Sequence, residues 1–122
     1  MNNMSNRFTA TSTDPKYAIA LDRETCIAMT EEFKVPTLAM TLPQFDLGVF
    51  VTLDKTAGVY GTDVNKKAIL SKYWDRNSES IEEMIVSASS VEEILGMAAC
   101  VLLHFIDEMD DNTLNYLQMK AS

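Results

Sequence analysis

Cys100, His104 and either Asp107 or Glu108 fall at helical spacing in this chain. Residues three and four apart share one side of a helix, so a thiolate, an imidazole and a carboxylate could converge there as a nucleophile with its base or as metal ligands. The specificity of the pattern is poor. One helix supplies at most three ligands, and the chain has two Cys and one His, so no second Cys/His pair completes a structural zinc site. A lone Cys and a lone His beside a core stripe read better as packing residues, and no metal or other cofactor is expected. Glu32-Phe33-Lys34 has the Glu-x-Lys form seen in some nucleases, but it ends a predicted helix instead of lying on a strand, where carboxylates for metal-dependent chemistry would converge. Gly48, Gly58, Gly61 and Gly96 never form a phosphate-cradling loop. Zinc-deaminase, nucleophile-elbow and Cys-x-x-Cys patterns are absent. The expectation is a protein that is not an enzyme, with catalysis by Cys100 and His104 the least favoured alternative.

The elements that must position these residues are read from period and capping. With 122 residues, 47% of them hydrophobic and 23% charged, the chain is expected to form a single domain over 1–122 that needs no metal or disulfide staple. Residues 1–6 are polar and expected to be disordered, and residues 7–12 alternate weakly as an edge strand would. Asp14-Pro15 looks like a helix opening, yet Tyr17, Ile19 and Leu21 alternate as a strand. Asp22 caps a firmer helix over 22–34, with Cys26, Met29, Thr30 and Phe33 at helical spacing and Pro36 ending it. Leu38, Met40 and Leu42 share one strand face, Pro43 to Asp46 supplies a turn, and Leu47 to Asp54 alternates again. Thr56-Ala57-Gly58 is expected to turn the chain into a short strand at Val59-Tyr60. Connections this short favour an antiparallel meander.

From Asp63 the period lengthens to that of a helix. Asp63 caps a helix carrying Val64, Ile69, Leu70, Tyr73 and Trp74, while Ser80 to Glu83 and Ser90 to Glu93 each have the form of a capping box. Those boxes predict a short helix over 81–88 and a long one over 91–109, followed by a last turn or two around Leu114, Tyr116 and Leu117. The fold class expected is therefore α+β, with a small antiparallel meander in the N-terminal half packed against a mainly helical C-terminal half. In the long helix Val91, Ile94, Leu95, Ala98, Val101, Leu102, Phe105, Ile106 and Met109 form the apolar stripe. Gly96 and Cys100, on the other side, are small residues four apart that admit close approach of another backbone. A neighbour in the same chain is the better reading, and a homodimer contact through Gly96 and Cys100 is the alternative.

Charge separates along the chain more sharply than hydrophobicity does. The formal net charge is −8; residues 1–76 hold nine acids and nine bases, whereas residues 77–119 hold nine acids and no base. Direct binding to nucleic acid is disfavoured, since its affinity comes from basic side chains that displace counterions. The acids fall in doublets: Glu82-Glu83, Glu92-Glu93, Asp107-Glu108 and Asp110-Asp111. Glu in a first turn complements the helix dipole, so the first two doublets have a local structural use. The last two are expected to oppose the dipole with no Lys or Arg nearby.

Cys26 and Cys100 are too few and too far apart for a disulfide scaffold. The N-terminus has no apolar run of a signal peptide, and Met97 to Ile106 is about half the ~20 residues a bilayer span requires. The expectation is a cytoplasmic protein, with no membrane association, whose eight paired acids bind a basic protein partner such as a nucleic-acid-handling enzyme. Anti-defence, immunity and nucleic-acid-mimic proteins offer an analogy from charge alone. A structural or adaptor subunit acting through homo- or hetero-oligomerisation is the alternative.

Overall fold

The computed structural model describes residues 17–119, so the expectations for residues 1–6, for 7–12 and for the Asp14-Pro15 opening lie outside the described residues. Four strands form one antiparallel sheet in the order of the sequence: β1 (Ala20–Leu21), β2 (Thr37–Leu42), β3 (Leu47–Thr52) and β4 (Ala57–Gly61). Helix α1 (Arg23–Phe33) lies between β1 and β2, and α2 (Val64–Arg76), α3 (Ser78–Ser87), α4 (Val91–Glu108) and α5 (Asp111–Gln118) follow the sheet. This is the α+β arrangement that the change of period from two to three and a half predicts. The alternation at Tyr17, Ile19 and Leu21 leads into a strand, with Ala20 opposite Thr41 and Leu21 opposite Met40.

Register explains which residues form the core. Leu38 faces Val51, Met40 faces Val49 and Leu42 faces Leu47 across β2 and β3, while Val59 faces Val49 across β3 and β4. Directly opposed residues point to the same side, so these side chains make one apolar face. Helix α4 covers that face over β2 and β3, and α2 covers β4. Ile94, Ala98, Val101, Leu102, Phe105 and Ile106 of α4 are buried there, as the periodic stripe requires. Val91 departs from the expected stripe: it begins α4, is 47% exposed and borders a cleft with Leu53, just past the end of β3. Tyr17 and Leu117 close the far end of the same core, with Tyr17 tilted against Phe45 at 5.3 Å between ring centroids.

Two turns differ from expectation in a way that the packing explains. Phe45, read as part of a turn, is fully buried in the core, and Asp46 beside it adopts φ 56°. The β3–β4 turn comes earlier than expected, closing through Thr52 N–H to the Thr56 carbonyl at 2.8 Å with Lys55 at φ 77°. Gly58 is consequently a strand residue. It faces Phe50 across the sheet, and a methyl group there would lie 2.9 Å from the Phe50 ring.

The other side of the sheet is organised by α1. Its Cys26 and Thr30, one turn apart, accept the N–H groups of Ala39 (3.2 Å) and Thr37 (2.9 Å), while Asp22 N–H donates to the Ala39 carbonyl (2.9 Å). Four helical residues rise about 6 Å and two strand residues about 6.8 Å, so a helix laid antiparallel to β2 matches alternate edge N–H groups. Side chains of α1 thus continue the ladder where the two-residue β1 stops. The otherwise open edge of β2 is covered.

Helix boundaries follow their caps. Asp22 and Asp63 accept the N–H groups of Thr25 and of Asn65 and Lys66 respectively. The expected box at Ser80 does not form: α3 begins at Ser78, directly after Asn77, which ends α2, so Ser80 is already inside the helix. At the next corner Glu93 N–H does bond Ser90 Oγ (3.1 Å), but the Glu93 carboxylate reaches Ser89 N–H (2.8 Å) one residue earlier than a reciprocal box would have it.

Candidate functional site

The eight acids singled out from sequence are all exposed, as is Glu79. They do not form one patch. Glu82 and Glu83 lie on α3, Glu92 and Glu93 in the first turn of α4, and these flank the α3–α4 corner. Asp107 and Glu108 end α4, Asp110 caps α5 and Asp111 begins it. At 1.5 Å per residue, Glu92 and Asp107 are separated by roughly 22 Å along the helix.

Several of these carboxylates have intramolecular partners that the sequence did not disclose. Asp110 Oδ1 accepts from Thr113 N–H at 2.8 Å, and this bond holds the carboxyl below its usual range. Asp111 lies in the first turn of α5, where negative charge is favoured. The expectation that this doublet opposes a helix dipole is therefore corrected, because the chain breaks at Met109 and starts a new helix. Glu108 does lie in a last turn, but Arg76 Nη2 stands 3.1 Å from its Oε1, contrary to the expectation that no cation is near. Glu93 is held below its usual range by Ser89 N–H and the Ser89 hydroxyl.

Two further cations of the balanced half, Lys55 and Lys66, fold over toward the acidic half but donate to carbonyl groups. Lys55 Nζ donates to the carbonyls of Ile85 (3.1 Å) and Ala88 at the C-terminus of α3. Lys66, 6% exposed, donates Nζ–H to the Met119 carbonyl beyond the end of α5. Both ammonium groups sit where helix dipoles present negative partial charge. Among the described residues one ion pair forms, Arg76 with Glu108. Among the described residues no other acid of the helical half has a Lys or Arg at ion-pair distance.

Three clefts adjoin along α3, and the third reaches the α3–α4 corner. The first, about 390 Å³, lies between Trp74 and Asp75 of α2, Lys55 and Ala57 of the β-hairpin, and Glu82 and Val86 of α3. It shares Glu82 and Val86 with a second cleft of about 370 Å³ that Glu79 and Glu83 border. Lys55 also borders a third, of about 440 Å³, that runs to Leu53, Ser90, Val91 and Ile94. Val86, 73% exposed, stands open among the glutamates of α3, and Leu53, 41% exposed, borders the third cleft.

A further acidic cleft was invisible in the charge sum. Asp22, Glu24, Glu32 and Asp46 border a cavity of about 510 Å³ with Tyr60. No Lys or Arg is among the described residues that line it. The first 76 residues are neutral in total, but folding sorts the acids of α1 and the β2–β3 turn to one place. No periodicity or motif signals this.

The chemistry considered for Cys100 and His104 finds no geometry. Both are exposed on α4, and no hydrogen bond joins them. No group of three or more His, Cys, Asp or Glu among the described residues is placed to hold a metal ion. Glu32-Phe33-Lys34 ends α1, with Lys34 at φ 63° as the left-handed cap and the Phe33 ring 5.5 Å from that of Phe50. Gly96 is half-buried on α4, and Ala99, the neighbour of the exposed Cys100, is fully buried. No helix among the described residues is long and apolar enough to cross a membrane. No family model, curated protein or solved structure matches the chain.

Proposed function

We propose that this chain is a non-enzymatic binding protein whose acidic helical half docks on a basic protein partner. One observation carries the reading: residues 77–119 hold nine carboxylates, all exposed, and among the described residues only Glu108 is ion-paired. Concentrating like charge on one part of a small fold raises its electrostatic free energy, and a partner of opposite sign relieves it. Such a field speeds association and makes it weaken with salt. A nucleic-acid-handling enzyme is the class of partner with a matching basic surface, and binding there would act as inhibition.

The test compares reversals of equal charge. Wild type, Glu83→Lys, Asp111→Lys and Glu31→Lys are immobilised, and capture of basic proteins from a cognate lysate is measured at low and high ionic strength. The expected result is loss of a salt-sensitive partner with Glu83→Lys or Asp111→Lys, and its retention with Glu31→Lys on α1. Capture that ignores salt, or that all three reversals weaken equally, overturns the reading.

A further inference from the structure

The acidic face of α3 carries an exposed apolar side chain, Val86, beside a cleft walled by Trp74. Val86, Leu53 and Val91 are 73%, 41% and 47% exposed, and the half-buried Trp74 forms a wall of the first cleft. Glu79, Glu82 and Glu83 stand along one border, Asp75 on another, and Glu92 in the turn that follows Val91. Among the described residues that line the three clefts, Lys55 is the one base, and its Nζ is turned inward onto the Ile85 and Ala88 carbonyls. An apolar centre with a rim of one charge is the form of a docking surface.

Resting on the reading that the partner is basic, we infer that this groove receives a basic amphipathic helix of that partner, with apolar side chains entering beside Trp74 and Val86 and Lys or Arg meeting the glutamate rim. Charge complementarity selects the occupant. A second copy of this chain would bring its own acidic rim against this one, and like charges juxtaposed at an interface oppose association. The first two clefts are lined chiefly by side chains of α2 and α3. A partner engages through side chains, and a helix delivers apolar groups at three- and four-residue spacing to one face.

Trp74 is the chain's one tryptophan, so its fluorescence reports on the groove without a label. The probe is a synthetic peptide of Leu and Lys arranged as an amphipathic helix; the control has the same composition scrambled so that no apolar face forms. The expected result is a saturable change in Trp74 emission with the amphipathic peptide. Val86→Asp and Glu82→Lys should each weaken binding about tenfold or more, the effect of losing a central contact, while Glu31→Lys changes it less than about twofold. Both groove positions are exposed, and circular dichroism of the variants verifies the fold.

Absence of saturable binding overturns the inference, as does equal binding of the scrambled peptide or indifference to Val86→Asp. Weakening by Asp111→Lys alone also overturns it, yet leaves the basic-partner reading standing with its surface at the far end of α4. Sedimentation of the free protein covers the other occupant. A dimer that Val86→Asp dissociates would assign the groove to a second copy and overturn the inference.

Discussion

Tyr60 lies across Gly48 and delivers its hydroxyl to Asp22 Oδ2 at 2.9 Å, joining residues 38 positions apart. The ring begins on β4, crosses β3 at the one position without a side chain, and ends beside β2 and the start of α1. Asp22 also receives Thr25 N–H (3.1 Å) and the Thr25 hydroxyl (2.7 Å), so one carboxylate caps a helix and ties it to the sheet.

Gly48→Ala should destabilise the fold through Tyr60. A methyl group there would lie 2.3 Å from Tyr60 Cζ, and the ring cannot swing away without giving up Asp22. The expected cost is about 1–3 kcal/mol from overpacking. Tyr60→Phe removes only the donor and should cost about 1 kcal/mol. Urea unfolding of both variants checks this, and a Gly48→Ala protein as stable as wild type would show that the ring is not held.

Acid stability should depend on a few capping carboxylates. Burial works to raise the Asp22 carboxyl, but hydrogen bonds from the Thr25 side chain, Thr25 N–H and Tyr60 outweigh it and leave it below 3.8. Glu93 and Asp110 are lowered from 4.5 and 3.8 by their bonds to Ser89 and Thr113. A carboxyl lowered in the folded state binds its proton more weakly there than in the unfolded chain. Its contribution is complete above the unfolded value and is lost as pH falls through the folded one. In Asp22→Asn/Glu93→Gln/Asp110→Asn the fall in stability below about pH 4 should be shallower than in wild type. Denaturation midpoints across that range decide it; parallel curves would contradict the assignment.

Lys55 is expected to show two opposed effects at one position. Lys55→Met removes the ammonium from the Ile85 and Ala88 carbonyls while keeping a side chain at φ 77°, at a cost of about 1 kcal/mol. Lys55→Gly loses the same contacts but relieves the left-handed backbone, which offsets about 1 kcal/mol. Thermal unfolding should therefore rank wild type and Lys55→Gly close together, with Lys55→Met below both.

The two thiols should react at very different rates. Cys100 is exposed, whereas burial pushes the Cys26 thiol above 9.0, with the Asp22 charge adding to the effect, and its sulfur is occupied by Ala39 N–H. A thiol-specific chromogenic reagent should report one fast and one slow cysteine in the native protein, and two fast ones in denaturant. Cys26→Ala, which leaves Ala39 N–H without its acceptor, should cost about 1 kcal/mol, and Cys26→Ser less. Native reaction of both thiols at one rate would refute the edge contact.

Periodicity by itself determined the architecture here. A sheet face must alternate and a helix stripe must recur every three to four residues. The partition into β2, β3, β4 and α4 was therefore legible from Leu38, Met40, Leu42, Val49, Val51 and the run from Ile94 to Ile106. The charge imbalance was legible too, since it is a sum over residue types. Tertiary structure decided where those charges act. It turned Lys55 and Lys66 onto helix C-termini, brought Arg76 to Glu108, and converted Asp110-Asp111 from the end of one helix into the start of another. It also left Val86 uncovered among glutamates, and placed Cys26 and Thr30 against alternate N–H groups of β2. Hydrogen bonds and ion pairs between distant residues depend on how far side chains reach across a folded backbone, and neither period nor composition encodes that distance.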